Sequence, residues 1–232
     1  MVLRVVSYNV HGLRDDRAAL VEVVRQLAPD VLILQEAPRR LRWRTRNAHL
    51  AHDLGLVHVA GGAPSLGNVV LASLRVRPQA TWELRYPLTP GRHMRGAVFA
   101  RCAVAAGSFV VVGSHLSTEP AERATQAGRL AAALADLQEP VILGADLNEP
   151  PGGPAWQALT QRLVDPLAVA TPAGAGASAA GVPVTFPPTR ERIDAVLVDP
   201  RIAVTAYRVG DATGTRRASD HLPVVAEVEL PA

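Results

Sequence analysis

The stretch VILGADLNEPPGG, residues 141–153, decides how this chain is read. Its apolar run Val141-Ile142-Leu143 passes through Gly144 and Ala145, then breaks into Asp146, Asn148 and Glu149. Pro150, Pro151, Gly152 and Gly153 then stop regular structure. A short apolar run bounded in this way reads as a buried strand. Such a strand needs a reason to deliver carboxylate and amide groups at its very end, because burying an unpaired charge is costly. One reason is local: Asp146 and Asn148 cap the helix that starts near Pro154. The other is chemical: strand ends in layered α/β folds are where a rigid sheet positions ligand-binding groups.

The same ending recurs along the chain. VLRVVSYNV (2–10) reads as a strand finishing at Asn9, with His11 just beyond. VLILQE (31–36) finishes in Gln35 and Glu36, and SFVVVGSHL (108–116) carries Ser114 and His115. Asp194 lies in the strand RIDAVLV, and Asp220 and His221 precede the last strand. Each has an ordinary explanation by itself. Asn9 closes a turn, Glu36 pairs with a surface Arg, His115 is a satisfied core histidine, and Asp220-His221 turns the chain before Pro223. Six such endings in one chain make coincidence a poor account.

The rest of the sequence supplies a frame. Helices are predicted over 15–30, 45–56, 120–137 and 153–163, with a strand-rich region from 57 to 114 between them. Strands and helices intermingle with no linker, so residues 1–232 are expected to form a single α/β domain with two central sheets and flanking helices. Residues 170–190, rich in Ala, Gly and Pro, read as a long surface loop. The chain's 232 residues, 48% hydrophobic, suffice for a large core. A lone cysteine, Cys102, excludes an internal disulfide and favours a reducing compartment. No stretch approaches the ~20 apolar residues of a membrane span, and no signal peptide is read at the start. A cytoplasmic monomer is therefore expected. All 24 basic residues are arginine and the net charge is +3. With so much Ala, Val, Pro and Gly, the arginine total by itself says little about nucleic acid.

The clustered groups suit particular chemistry. Carboxylate and amide oxygens are hard ligands for Mg²⁺, which keeps waters for a phosphate. A carboxylate can orient or deprotonate a water, and a histidine fixed by a carboxylate can donate to phosphoryl oxygens. The sequence has no Cys cluster or H-E-x-x-H pattern for zinc. It also lacks the phosphate loop of NTPases and the G-x-S-x-G elbow.

The segments SYNVHG, LQE, GSHL, GADLNEPP, RIDAV and SDHLPV, in that order, resemble the endonuclease/exonuclease/phosphatase superfamily, the DNase I-like fold, from about residue 3 to 229. That resemblance implies a four-layer α/β sandwich, with two mostly antiparallel central sheets, and hydrolysis of phosphoesters with Mg²⁺ or Mn²⁺. It implies Glu36 as principal metal ligand, with Asn9 beside it and Asp220 nearby. Asp146 would position or activate the attacking water, and Asn148 would hold that water or a phosphate oxygen. His221, oriented by Asp194, would stabilise the transition state, and His115 would bind a phosphate oxygen. The substrate implied is a phosphoester, DNA or RNA first, with a phosphomonoester or a lipid head group as the alternative and a binding-only domain as another.

Departures place the chain within the superfamily. The abasic-site endonuclease branch usually has Asp where His11 stands, and a Tyr motif where this chain has SHL. The SHL form is similar to the DNase I, sphingomyelinase, inositol phosphatase and tyrosyl-DNA phosphodiesterase branches. Ala145 sets Gly144 one place early in the usual G-D-x-N. Arg95 matches a basic position facing the phosphate, or is a surface strand Arg. Asn68 and His11 join it as candidate substrate contacts. Phe186 could stack on a base or head group, or anchor its loop. PRRLRWRTR (38–46) reads as a basic rim for a polyanion, or as a solvated loop with Trp43 packed inward.

Overall fold

The computed structural model describes residues 1–170, 183–210 and 214–231. Eleven strands form among them. They are β1 (Val2–Asn9), β2 (Val31–Gln35), β3 (Val57–Gly61), β4 (Val69–Ala72), β5 (Arg77–Arg85), β6 (Gly96–Val104), β7 (Gly107–His115), β8 (Val141–Asp146), β9 (Asp194–Val198), β10 (Ala203–Val209) and β11 (Val224–Glu229). The helices are α1 (Arg17–Leu27), α2 (Trp43–Leu54), α3 (Pro120–Ala135), α4 (Pro154–Thr160), α5 (Pro166–Ala170) and α6 (Thr215–Ala218). The predicted helices are present; the first, third and fourth are shorter, and the second is shifted two residues toward the N-terminus. The first stops at Leu27 because Ala28, ahead of Pro29, turns left-handed at φ 45°. Of the long Ala/Gly/Pro stretch, residues 171–182 lie outside the described residues. No described helix is long and apolar enough to cross a membrane.

The strands make two sheets. One has the order β10-β11-β1-β2-β4-β3, the other β5-β6-β7-β8-β9. Each contains one parallel pair, β1 with β2 and β7 with β8, and all other pairings are antiparallel. The parallel pairs are the two whose strands are linked by a long helix, α1 and α3, as a crossover connection requires. Three apolar clusters define four layers. Val6, Tyr8, Leu32 and Leu34 pack with α1 and α2, while Val110, Val112, Leu143 and Leu197 pack with α3 and α4. Leu3, Val5, Ile33, Val111, Ile142 and Val196 fill the space between the sheets. The expected four-layer α/β sandwich is the fold found.

Side chains alternate across a strand, so these clusters also fix where the polar ends point. The rows 3-5-7-9, 111-113-115, 142-144-146 and 194-196-198 all face the gap between the sheets. The apolar residues of each row fill the gap; Asn9, His115, Asp146 and Asp194 terminate the rows at one edge.

Near that edge the sheets approach closely. Gly113 and Gly144 are paired across β7 and β8. A Cβ on Gly144 would lie 2.7 Å from Ile33 Cδ1 and 3.0 Å from Ser7 Oγ; one on Gly113 would lie 2.8 Å from Ile33 Cγ2. Between this contact and the cleft, buried Gln35 donates to Ser7 Oγ (3.2 Å) and to the Gly144 carbonyl (3.4 Å). Gly144→Val should therefore cost about 1–3 kcal/mol through overpacking, read as a lower urea midpoint. Gly128→Ala in α3, where a Cβ meets nothing within 4 Å, should instead stabilise by roughly 0.5–1 kcal/mol. Equal effects of the two substitutions would remove the close approach as the cause.

Candidate active site

The row ends open into a cleft of about 600 Å³. In register, His115 pairs with Asp146 and Asp146 with Asp194 across the second sheet, while Asn9 pairs with Gln35 across the first. Glu36 follows β2 at φ 56° and Asn148 follows β8 at φ 52°. Both are left-handed positions that non-glycine residues seldom adopt, and such strain gathers at functional sites.

Asp146 is the hub. Its Oδ1 accepts from the Asn148 backbone N–H (3.0 Å) and its Oδ2 from Asn9 Nδ2 (2.9 Å). His115 Nε2 lies 3.2 Å and His221 Nε2 3.8 Å from the same Oδ2. Burial, reinforced by the charge of Asp194, pushes Asp146 up to about 7 against the pull of His221, Asn9 and Asn148. A carboxylate so placed is poised to exchange a proton near neutrality. Asn148 Nδ2 donates to the Leu116 carbonyl (2.9 Å), which orients its amide beside Asp146.

The two histidines flanking this carboxylate are held in opposite states. His115 Nδ1 faces Arg95 Nη1 at 3.0 Å. Arginine only donates, so Nδ1 accepts and the ring proton resides on Nε2, toward Asp146. Burial and the Arg95 charge hold His115 well below the usual imidazole range, and it is neutral. His221 differs. Burial alone would lower it, but the charge of Asp194 and a 2.9 Å hydrogen bond from Nδ1 to Asp194 Oδ2 raise it to about 9. His221 is therefore a cation beside a near-neutral carboxyl. Thr185 Oγ1 accepts from the backbone N–H of Ile193 (2.9 Å) and Asp194 (3.0 Å), fixing the acidic partner. Phe186 lies against the His221 ring, centroids 4.6 Å apart, where it shields the pair from water as well as lining the cleft.

Glu36 presents a carboxylate with no hydrogen-bond donor among the described residues; the neutral His115 ring lies beside it, with Nδ1 at 4.0 Å. Asn9 Oδ1 accepts one bond, from the His11 N–H (3.0 Å), and keeps a second lone pair. These are hard oxygen donors, and the only thiol, Cys102, is buried between the sheets. The donor set fits Mg²⁺ or Mn²⁺ and not a soft metal. Two other groups have ligand atoms close together. Asp146, Asp194 and His221 form one, but there the imidazole is a cation already bonded to Asp194. His11, Asp15 and Asp220 form the other at the rim, with His11 Nδ1 at 2.8 Å from Asp15 and 3.8 Å from Asp220.

Eleven of the twelve residues singled out by sequence therefore line one cleft or, for Asp194, bond a residue that does. Asn68 is the correction. It is buried behind the wall, where its Nδ2 donates to the Ser65 (2.8 Å) and Gly96 (2.9 Å) carbonyls and pins the strand next to Arg95. The capping alternative for Asp146 and Asn148 also fails. Glu149 caps α4 instead: its carboxylate accepts from the Ala155 and Trp156 N–H groups and from Arg123 Nε (2.9 Å). Arg123 in turn donates to the Ser117 and Thr118 carbonyls and ties together the loops after β7 and β8. Thr185, Arg123 and Glu149 were missed as site supports, because such roles depend on partners remote in sequence.

The sequence from residue 6 to residue 221 matches the model of the endonuclease/exonuclease/phosphatase family. The chain belongs to this family. Members of the family are phosphoester hydrolases. The human Nocturnin catalytic domain with bound sulfate superposes with a TM-score of 0.79 at 17% identity, covering 98% of this chain and 94% of that one. A mannosyl-6-phosphatase of Bacteroides thetaiotaomicron gives 0.75 at 17% identity, covering 98% and 100%. TDP2 of D. rerio, complexed with a single-strand DNA product, gives 0.74 at 16% identity, covering 98% and 99%. At these identities the likeness is one of fold. No curated protein matches the sequence.

Two outcomes follow from the histidine pair in this family member. The folded value of His221 lies above its ordinary 6.5. Its protonation therefore stabilises fully below that pH, and the contribution is lost as pH rises through about 9. In EDTA, wild type should lose on the order of 3 kcal/mol relative to His221→Gln between those values, read from thermal melts. A constant difference between the two proteins would remove His221 as a buried cation. Nitrogen NMR should show His115 neutral with its proton on Nε2 at pH 6, and Arg95→Met should release that tautomer. An imidazolium signal from His115 at that pH would overturn the assignment.

Proposed function

We propose that this chain is a divalent-metal-dependent phosphodiesterase that cleaves nucleotide phosphodiesters, as in DNA or RNA, by in-line attack of water. The observation that carries this reading is the buried Asp146 carboxyl, held between a neutral His115 and a cationic His221–Asp194 pair, beside the open carboxylate of Glu36. Mg²⁺ or Mn²⁺, held by Glu36 with Asn9 and Asp220 near, would neutralise charge on the phosphate and the leaving oxygen.

Each protein group then has a role its surroundings support. Asp146 orients the water and takes its proton, the task for which a value near 7 suits it. Asn148 holds the water or a phosphate oxygen. His221 carries a proton on Nε2 and donates to a phosphoryl oxygen as negative charge grows. Arg95 lines the cleft and holds His115 in one tautomer.

The test compares bis-p-nitrophenyl phosphate with p-nitrophenyl phosphate, with and without Mg²⁺. The diester should be the better substrate and EDTA should abolish its hydrolysis. Asp146→Asn should lower kcat at least about 10³-fold with a cooperative melt retained, and Glu36→Gln should raise the Mg²⁺ concentration for half-maximal rate. A preference for the monoester would replace this reading with a phosphomonoesterase. Full activity in EDTA would remove the metal from it.

A further inference from the structure

Five arginines line the cleft: Arg14, Arg39, Arg40, Arg46 and Arg95. None is within ion-pairing distance of a carboxylate among the described residues. Nine arginines elsewhere, such as Arg4, Arg75 and Arg123, do form such pairs. Ten further arginines outside the cleft also have no such pair among the described residues, so what sets the cleft group apart is that five gather on one concave surface. Arg95 is committed to His115. Arg39, Arg40 and Arg46 line the cleft from the segment that follows Glu36.

A purely structural explanation fits Arg39 in part and the other two not at all. Arg39 Nη1 donates to the carbonyls of Leu66 (3.1 Å) and Met94 (3.4 Å), which fixes its guanidinium at the wall with other donors to spare. Arg40 and Arg46 are exposed, with no hydrogen-bond or ion-pair partner among the described residues. Helix stability does not account for Arg46 either. It sits in the first turn of α2, which has no acidic residue and no side-chain cap, and a cation there opposes the helix dipole. An anion bound between these arginines reverses that penalty.

We propose that Arg39, Arg40 and Arg46 form a second anion subsite, which takes a phosphate of the substrate other than the one cleaved. This deepens, and rests on, the phosphodiesterase reading. The cleft volume of about 600 Å³ suits a nucleotide-sized ligand with two phosphates. The second phosphate can be a terminal monoester or the neighbouring diester of a strand. Planar guanidinium forks bind either oxyanion bidentately.

The experiment compares thymidine 5′-(p-nitrophenyl phosphate) with the same ester bearing a 3′-phosphate. The two differ only in the second anion. The 3′-phosphate should raise kcat/KM by about tenfold or more, mainly through KM, with the gain shrinking as salt rises. In Arg40→Ala/Arg46→Ala the ratio between the two esters should fall to about one. A dinucleotide p-nitrophenyl ester distinguishes the sources. A gain equal to that of the 3′-phosphate indicates a strand, and a smaller gain a terminal phosphate. A ratio near one in wild type, or an unchanged ratio in the double variant, overturns the subsite. Calorimetry keeps this separate from catalysis. Thymidine 3′,5′-bisphosphate should bind about tenfold more tightly than the 5′-monophosphate, and the double variant should lose that difference. If neither ester is cleaved yet the bisphosphate keeps this advantage, the phosphodiesterase reading fails and the subsite stands; if the advantage is absent, the subsite fails.

Discussion

The two sheets meet most closely where Gly113 and Gly144 lie side by side against Ile33 and Ser7. Everything in the cleft depends on that approach. A side chain at either glycine would hold the sheets apart, and the groups just beyond them come from both sheets. Asn9 reaches Asp146 across the gap at 2.9 Å. A hydrogen bond weakens steeply beyond its normal length, so even a modest widening would release the amide that fixes the carboxyl. The apolar rows and the polar cleft are thus one continuous structure, with Gln35 and Ser7 as the transition between them.

Asp146 shares its surroundings with two histidines of unlike charge. Both are buried, and burial pushes both toward neutrality. The neighbour decides the outcome. Arg95 beside His115 adds to the effect of burial, while Asp194 beside His221 overturns it. One imidazole can therefore serve as a fixed neutral donor and the other as a proton-bearing cation within the same cavity. Asp146, lifted by burial, is matched to both.

The framework around these groups is held by partners that do no chemistry. The buried pair Arg123–Glu149 joins the loops after β7 and β8, and Glu149 also caps α4. Arg192 and Asp165 make a second buried pair just before Asp194. Removing one member of such a pair leaves an uncompensated buried charge and typically costs 3–5 kcal/mol. These pairs hold the segments that adjoin His115, Asn148 and Asp194, a use of buried charge that positions the site.

Much of this was legible in the sequence. Short apolar runs bounded by turn residues marked the strands, amphipathic spacing marked the helices, and the polar strand ends marked the site. These are local signals, set by residue type and, in helices, a period of 3.6. Asn68 was a candidate substrate contact, yet its amide turns inward to backbone carbonyls. Glu149 stood out as one of the polar groups after β8, but its role as cap and ion-pair partner did not, and Arg123 and Thr185 carried no signal, since these roles depend on partners remote in sequence. The sequence by itself determined the order of strands and helices and the polar groups at the strand ends, because apolar runs and residue type are local signals. Only the tertiary structure decided which histidine is charged and which carboxylate stays open, because protonation and coordination depend on distances between chain segments that the sequence order does not contain.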